Sequence, residues 1–441
     1  MLANLDILLL IIYFVALLGI GFRASQKEGQ EGFLIANRNV NAINLNATIS
    51  ASWSGGGVVA AYVALVYVHG TSAIWIWIGS CLGLLVFIPF AKKLKVSGDK
   101  EHHYTMLDFL YFKFGKRNNL ISASLLFLMY LALVLVELIV GGKVFSVITN
   151  LPYWLAVLTC SATILFYLLL GGFQSVIRTD LFQYLLLFLF AIISWFLLTE
   201  SSVDVSQLNP FSAGIVRIVS CIIMGIFITF VSADLWQRAY SAKNVKTLKK
   251  GFIFASISYL IIGLLVTVFG LVAKTNFPNI SPNDAMIHTI SQLLPDGLLG
   301  ISLVALLSAV MSSADTGLFV GSLFFSRDFV AKYRKLRKEE LIKLTRKTLV
   351  VLTAIATVLA IFLQDLVFVL FTMYSFSLIL APAAIGSFFS DLKRKAIEYS
   401  LVIGIGAAIV VVALQQVTAE MAIVPFILSA IVLVIAQKPA K

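Results

Sequence analysis

The chain of 441 residues is 60% hydrophobic and 12% charged, with a formal net charge of +12. Because about a quarter of the residues of soluble domains are charged, this composition excludes an ordinary soluble protein and indicates an all-α integral membrane protein. The three cysteines lie in apolar runs, which predicts neither a disulfide framework nor a cysteine metal motif.

About thirteen transmembrane helices are predicted. The first apolar run is expected to remain as a helix rather than to be cleaved as a signal peptide. The longest loops have about 20 to 28 residues, too short for a catalytic domain, so an enzyme is not expected. The predicted spans are approximately 6–22, 43–68, 72–91, 120–148, 152–170, 177–199, 212–236, 251–273, 297–325, 345–363, 365–388, 397–414 and 420–437.

The second span carries three consecutive glycines, Gly55 to Gly57, among several hydroxyl side chains. Each glycine costs a helix about 1 kcal/mol relative to alanine, so the triplet predicts local unwinding at membrane depth. Unwound backbone in a bilayer must line a cavity or pack inside protein, and its free carbonyls can bind a cation. The alternative is close helix packing through small residues.

Two acidic residues follow in the next spans. Glu137 is the deepest carboxyl, and it could pair with a cationic substrate group, with a proton, or through a hydrogen bond with a neighbouring helix. Asp180 stands near the start of span six, where Thr179 and Asp180 would cap the helix N-terminus. Span seven ends in Asp234, Gln237 and Arg238, which are interpreted as a gate or an anchor.

Span nine contains the run SAVMSSADT at residues 308–316. On a helix, the carbonyl of residue i lies beside the side chains of i+3 and i+4. The Ala309 carbonyl and the hydroxyls of Ser312 and Ser313 can therefore converge, and three hard oxygens suit a hard cation. Asp315 could hydrogen-bond near this ion, help to release it, or make a structural bond.

The basic residues are distributed asymmetrically. Thirty of the thirty-three Lys and Arg residues fall in alternate loops and the C-terminal tail, the exceptions being Lys143, Arg217 and Lys274. The positive-inside rule then predicts an N-terminus outside and a C-terminus in the cytoplasm of a plasma-membrane protein. This bias explains the net charge through the lipid bilayer, without a nucleic-acid partner. No obligate protein partner is evident.

Several motifs resemble those of the sodium:solute symporter family, which includes sugar, proline, pantothenate and sialic acid carriers. Residues 32–38, GFLIANR, are similar to the family's G-F-x-x-A-x-R pattern. Residues 171–183, GGFQSVIRTDLFQ, are similar to G-G-x-x-x-V-x-x-T-D-x-x-Q. The end of span seven and the hydroxyl run of span nine occur in the expected order, and the resemblance covers nearly the whole chain.

The resemblance implies a leucine-transporter-type five-plus-five inverted repeat. The implied units are residues 1–42 (a first peripheral helix and cytoplasmic loop), 43–199 (first repeat, spans two to six), 200–388 (second repeat, spans seven to eleven) and 389–441 (two peripheral helices). It also implies a Na⁺ site between spans two and nine. Its ligands would be the carbonyls of Ala51, Ser54 and Ala309 and the hydroxyls of Ser312 and Ser313. In some relatives the aspartate that matches Asp180 supports a second sodium.

Substrate candidates are the residues at the expected breaks of three spans and their neighbours. They are Trp53, Ser54, Gly55, Gly225, Thr229, Ser232, Tyr374 and Ser375. Proline carriers have an acidic residue at the place aligned with Trp53, and its absence here weakens a proline assignment. Span three lacks the recognisable polar set of the sugar carriers.

The function implied is sodium-coupled symport of a small polar organic solute by alternating access. The alternative is a sensor or an uncoupled channel that keeps the transporter fold without symport. A membrane enzyme is the third class, and it would need a catalytic cluster, which the sequence does not display.

Overall fold

Helices make up nearly all of the chain in a computed structural model, which describes residues 4–25, 30–170, 173–331, 334 and 337–437. The motif residues Gly171 and Gly172 lie outside the described residues. The helices are α1 (Asn4–Ser25), α2 (Gln30–Ile35), α3 (Ala42–Trp53), α4 (Gly56–His69), α5 (Ile74–Glu101), α6 (Met106–Thr149), α7 (Tyr153–Leu170), α8 (Phe173–Leu187), α9 (Leu189–Glu200), α10 (Ile215–Val231), α11 (Ala233–Ser241), α12 (Val245–Asn276), α13 (Ala285–Leu293), α14 (Leu298–Leu323), α15 (Lys338–Phe362), α16 (Leu366–Ser377), α17 (Ala381–Gly386), α18 (Arg394–Ala413), α19 (Ala419–Ala422) and α20 (Val424–Gln437).

The structure agrees with an all-α multi-pass membrane protein. Within the described ranges, nine helical stretches are long and apolar enough to cross a membrane, or ten if the bent pair α10 and α11 is one span. One of the nine, Gly56–Glu101, contains both α4 and α5. Each of the thirteen predicted segments is helical over most of its length, but the count of thirteen crossings remains a prediction.

The predicted break in the second span is confirmed. Helix α3 ends at Trp53 and α4 begins at Gly56, and the two residues between them have non-helical backbone angles (Ser54 φ −96°, ψ 44°; Gly55 φ −59°, ψ 150°). Close packing, the alternative interpretation, also holds at this point. A Cβ on Gly57 would lie 2.5 Å from the backbone carbonyl of Val136 in α6, so only glycine allows this approach.

A second break separates α10 from α11, which meet at 51° around Ser232. Span eleven differs from the expectation, since α16 runs unbroken through Tyr374 and Ser375. The helix tightens later, into a 3₁₀ turn at Leu378–Leu380. Pro382 follows this turn, and because it has no N–H it cannot bond the carbonyl of Leu378, four residues earlier.

The capping interpretation of Asp180 is wrong. Helix α8 begins at Phe173, so Thr179 and Asp180 lie in its interior. The Thr179 hydroxyl donates to the carbonyl of Val176 at 2.9 Å, and the Asp180 carboxylate is fully buried among other helices.

Helix α14 occupies the centre of the bundle, and nearly all its side chains are buried. It contacts α1, α3, α4, α6, α8 and α15, so its hydroxyl run faces several helices at once. Around it, α5 packs tightly against α10 and α12. The resulting core is continuous from α1 to α20.

Replacing Gly225 by alanine is expected to destabilise the protein. A Cβ there would lie 2.4 Å from the amide nitrogen of Ser80 and 2.5 Å from the carbonyl oxygen of Ile76, both backbone atoms of α5. Overpacking of this kind costs about 1–3 kcal/mol or more, because the α5–α10 contact must separate. Gly406→Ala is the matched control, since a Cβ there meets nothing within 4 Å. Thermal unfolding in detergent should show a lower Tm for Gly225→Ala alone, and equal Tm values would contradict the expectation.

Candidate ion and solute site

The break between α3 and α4 lies directly against the hydroxyl run of α14. The Ser313 hydroxyl donates to the Ser52 carbonyl at 2.6 Å, and it lies 2.2 Å from the position of a Cβ on Gly55. The first turn of α4 also packs on α14, because a Cβ on Gly56 would lie 3.0 Å from the amide nitrogen of Val310. A helix end leaves its last carbonyls without intrahelical partners, so the break supplies free oxygens at this contact.

All five predicted sodium ligands are completely buried, and they lie on α3, on α14 and at the break. They are Ala51, Ser54, Ala309, Ser312 and Ser313. The Ser54 hydroxyl, at the break itself, has no hydrogen-bond partner in the part of the chain that the structure describes. A buried hydroxyl without a partner is costly, which is consistent with a ligand at this point.

Asp180 joins α8 to both walls of this contact. Its carboxylate accepts hydrogen bonds from the hydroxyls of Thr48 in α3 and Ser312 in α14, each at 2.5 Å. Its third neighbour is Arg238, whose Nη2 lies 3.7 Å from Asp180 Oδ2. One carboxylate therefore lies beside a predicted sodium ligand and draws three other helices together.

Arg238 is the most connected side chain of the cluster, and it is fully buried. Its guanidinium donates five hydrogen bonds, at 2.6–3.2 Å, to acceptors on three helices. The acceptors are the Thr48 hydroxyl, the Thr48 carbonyl, the Ser52 hydroxyl, the Thr316 hydroxyl and the Asp234 carboxylate. The guanidinium thus connects α11 with α3 and α14.

Asp234 follows the second break and is also held from several sides. Its carboxylate accepts from the Tyr130 hydroxyl at 2.7 Å and from the Trp53 indole N–H at 3.1 Å. Its amide donates to the same Tyr130 hydroxyl at 2.8 Å. Nearby, the Gln237 side chain donates to the Leu34 carbonyl at 2.6 Å, so α11 is anchored to α2 as well.

Glu137 lies on the other side of the first break. Its Oε2 accepts the amide of Gly57 at 2.8 Å, which confirms the hydrogen bond to a neighbouring helix among the expected roles. Its Oε1 is buried and has no hydrogen-bond partner within the described ranges. Asp315 is fully buried too, and it lies close enough to Tyr13 of α1 to interact electrostatically with that hydroxyl.

A cavity of about 60 Å³ opens beside Arg238 and the first break. Ligand pockets for drug-sized molecules measure roughly 300–1,000 Å³, so this cavity is several-fold smaller than such a pocket. Of the predicted substrate residues, Trp53, Ser232 and Tyr374 line the cavity. Gly55 and Ser375 are buried but do not appear among the lining residues that the structure describes.

Two other substrate candidates face a neighbouring helix. Gly225 packs on the backbone of α5, and the Thr229 methyl group lies 2.6 Å from the position of a Cβ on Gly83 of the same helix. Small side chains serve the α5–α10 contact there, so the structure does not bring these two residues to the cavity.

Comparison with known proteins agrees with this architecture. A sequence profile of the sodium:solute symporter family matches residues 33–212 and 202–390. The chain belongs to the sodium:solute symporter family. The resemblance found in the motifs is therefore confirmed.

Curated relatives of this symporter-family chain include two named sodium/proline symporters. One, sodium/proline symporter 2 of Staphylococcus saprophyticus, is 27% identical over 370 residues, covering 77% of this chain and 70% of the relative. The other, from Staphylococcus aureus, is 25% identical over 378 residues, covering 78% and 71%.

Solved structures with the same fold include a Na⁺-coupled sialic acid symporter in a substrate-bound, outward-open state. It superposes with a TM-score of 0.82 at 16% identity, covering 99% of this chain and 96% of that one. A nucleobase-cation-symport-1 family transporter in a closed conformation gives a TM-score of 0.66 at 13% identity, covering 92% of each chain. These likenesses show a shared transporter fold.

Four residues that bond Arg238 or Asp234 were not predicted from the sequence of this family member, namely Thr48, Ser52, Tyr130 and Thr316. Part of the signal was present, since Thr48 and Ser52 are four residues apart on α3, and Ser312 and Thr316 are four apart on α14. Spacing of this kind places each pair on one helical face. Tyr130, in an apolar run of α6, had no such neighbour in the sequence.

Proposed function

We propose that this family member is a sodium-coupled symporter that imports a small polar organic solute by alternating access. The observation that carries the proposal is the contact between the broken second span and the hydroxyl run of α14, where Ser313 reaches the Ser52 carbonyl. A broken helix at membrane depth supplies carbonyls, and the facing turn supplies hydroxyls.

The proposed sodium ligands are the carbonyls of Ala51, Ser54 and Ala309 and the hydroxyls of Ser312 and Ser313. All five are neutral oxygens, so the ion can leave without separating from a directly bound carboxylate. A second sodium is proposed beside Asp180, where the hydroxyls of Thr48 and Ser312 already converge. Both hydroxyls can turn their lone pairs toward a cation while the carboxylate supplies the charge.

The proposed arrangement is an inverted repeat, with α3–α4 and α10–α11 as equivalent broken spans. The break at Ser54–Gly55 and the bend at Ser232 support it, because each falls in the first span of its repeat. With the N-terminus outside and the C-terminus inside, the basic loops face the cytoplasm of the cell membrane.

The membrane potential and a sodium gradient together can drive accumulation of the solute. At about 100 mV one charge supplies roughly 2.3 kcal/mol. A tenfold sodium gradient supplies about 1.4 kcal/mol more. One sodium could then concentrate a neutral solute by roughly several hundred-fold.

Replacing both Ser312 and Ser313 by alanine is expected to lower the apparent sodium affinity by about tenfold or more, because two ligand hydroxyls are removed. Sodium-dependent uptake of a labelled solute panel into proteoliposomes measures transport, and sodium titration of thermal stability measures binding. Ser302→Ala is the matched control, since Ser302 lies on the same helix and, among the described residues, its hydroxyl bonds the Leu298 carbonyl alone.

An unchanged sodium response in the double variant would contradict the site. Failure of every solute in a broad panel to move with sodium would contradict symport itself.

A further inference from the structure

The N-terminus of α4, at the first break, is already occupied by a carboxylate. A helix N-terminus has amides without intrahelical partners and carries about half a positive charge. In transporters with discontinuous helices, such ends point at anionic groups of the substrate. Here the Gly57 amide donates to Glu137 Oε2 at 2.8 Å.

The second oxygen of this carboxylate is free. Glu137 Oε1 is completely buried, has no hydrogen-bond partner and forms no ion pair within the described ranges. It lies 2.2 Å from the position of a Cβ on Gly55, as does Ser313 Oγ, so these two oxygens are at most about 4.4 Å apart (2.2 + 2.2). A buried polar atom without a partner points to a ligand group that completes it.

The cavity beside the break has the electrostatic character of a site for a cation. Three aromatic side chains line it, Trp53, Tyr259 and Tyr374, and aromatic faces attract cationic nitrogen. Asp234 is the one carboxylate in its wall, and no Lys, Arg or His belongs to that wall in the part of the chain the structure describes. Arg238, beside the cavity, already donates to the lining residues Ser52, Asp234 and Thr316. A solute carboxylate would therefore be desolvated there without a free basic partner, which is unfavourable.

We propose that Glu137 takes the place of a solute carboxylate at the α4 N-terminus and that the transported solute carries a cationic nitrogen and no free carboxylate. Glu137 is not itself among the described lining residues, but two residues of the wall adjoin it, Val58 in the first turn of α4 and Leu133 one turn before Glu137 on α6. The nitrogen would bind the free Glu137 oxygen from this side of the cavity, with the aromatic wall around it. The inference rests on the proposed function, since it names the solute class of that symport site. The proposed solute class differs from that of the relatives named for proline, because proline itself carries a carboxylate.

Matched solute pairs that differ in the carboxylate test the inference. L-prolinamide is compared with L-proline, and choline with glycine betaine, by their half-maximal concentrations for thermal stabilisation of the purified protein in sodium. For the native chain we expect prolinamide and choline to act at concentrations roughly tenfold or more below those of their carboxylate partners, the effect of one unpaired charged group.

Two variants of the same residue separate a ligand role from a structural one. Glu137→Ala vacates the helix N-terminus, so proline and glycine betaine should gain roughly tenfold or more. Glu137→Gln keeps an acceptor for the Gly57 amide, so it should weaken binding of the cationic solutes without a gain for the carboxylates. Asp204→Asn, in an exposed loop, is the charge control and should change neither.

Several results would overturn the inference. The first is equal or tighter binding of the carboxylate solutes by the native chain, and the second is stabilisation by none of the four solutes. The third is the same affinity for the carboxylate solutes in Glu137→Ala and Glu137→Gln. A lower sodium affinity in Glu137→Gln with unchanged solute preference would assign the free oxygen to the ion instead. Sodium titration of the Ser312 and Ser313 double variant, without solute, reports separately on the proposed function.

Discussion

Replacing Arg238 by methionine is expected to lower the free energy of unfolding by about 3–5 kcal/mol, because breaking a buried ion pair leaves an uncompensated charge. Arg238 Nη1 lies 3.2 Å from Asp234 Oδ2, and Nη2 lies 3.7 Å from Asp180 Oδ2, with the guanidinium fully buried. Methionine fills a similar volume but leaves both carboxylates without their cation. It also removes the five hydrogen bonds that reach acceptors on α3, α11 and α14.

Reversible unfolding in mixed detergent micelles measures this change. Arg117→Met is the matched control, because Arg117 is 78% exposed and pairs with Glu398 at 3.0 Å on the surface. Such a pair contributes about 0–1 kcal/mol. Similar losses in the two variants would show that the buried cluster contributes no more than a surface pair.

Asp180→Asn is expected to reduce sodium-driven uptake by roughly tenfold or more, because each charge-assisted hydrogen bond is worth about 1.5–3 kcal/mol. Asparagine has one carbonyl oxygen, so it accepts from Thr48 or from Ser312 but offers an amide to the other. The charge that faces Arg238 and the proposed second sodium disappears as well. Loss of a cation ligand and loss of the hydrogen bonds that orient the two hydroxyls both lower the rate of uptake.

The measurement is the initial uptake rate as a function of sodium concentration, with the Tm of the same preparation. Asp284→Asn serves as the control, since Asp284 pairs with Lys143 but its side chain is 52% exposed. A lower Tm together with an unchanged sodium dependence would assign Asp180 a purely structural role.

The break in the second span was predictable because its cause is local. Three adjacent glycines weaken a helix whatever surrounds them, and α3 and α4 separate there. The common face of Ala309, Ser312 and Ser313 on α14 was predictable for the same reason, since their spacing along one helix fixes it. Motifs of this local kind also indicated the family, which the profile match over residues 33–212 and 202–390 confirms.

The contacts between helices were not predictable. Asp180 was expected at a helix end, but α8 starts seven residues earlier and places the carboxylate against Thr48 and Ser312. Gly225 was assigned to the solute as a residue near the expected break of span seven, whereas here it permits the backbone of α5 to approach. Sequence spacing describes one helix, and the partner across the contact decides what a small or polar residue does.

The two sides of the first break are held by different sets of hydrogen bonds. Below the break, α3 is held to α11 and α14 through Arg238 and through the Trp53 indole on Asp234. Above it, α4 is held to α6 through Glu137 and the Gly57 amide. Helix α6 also reaches the Arg238 cluster, because its Tyr130 hydroxyl bonds Asp234, so a rotation about the two-residue linker that carries α4 and α6 together must strain that contact. Motion that parts α3 from α11 must instead break the three hydrogen bonds from Arg238 to α3 and the one from the Trp53 indole to Asp234, so the two motions differ in the bonds that resist them.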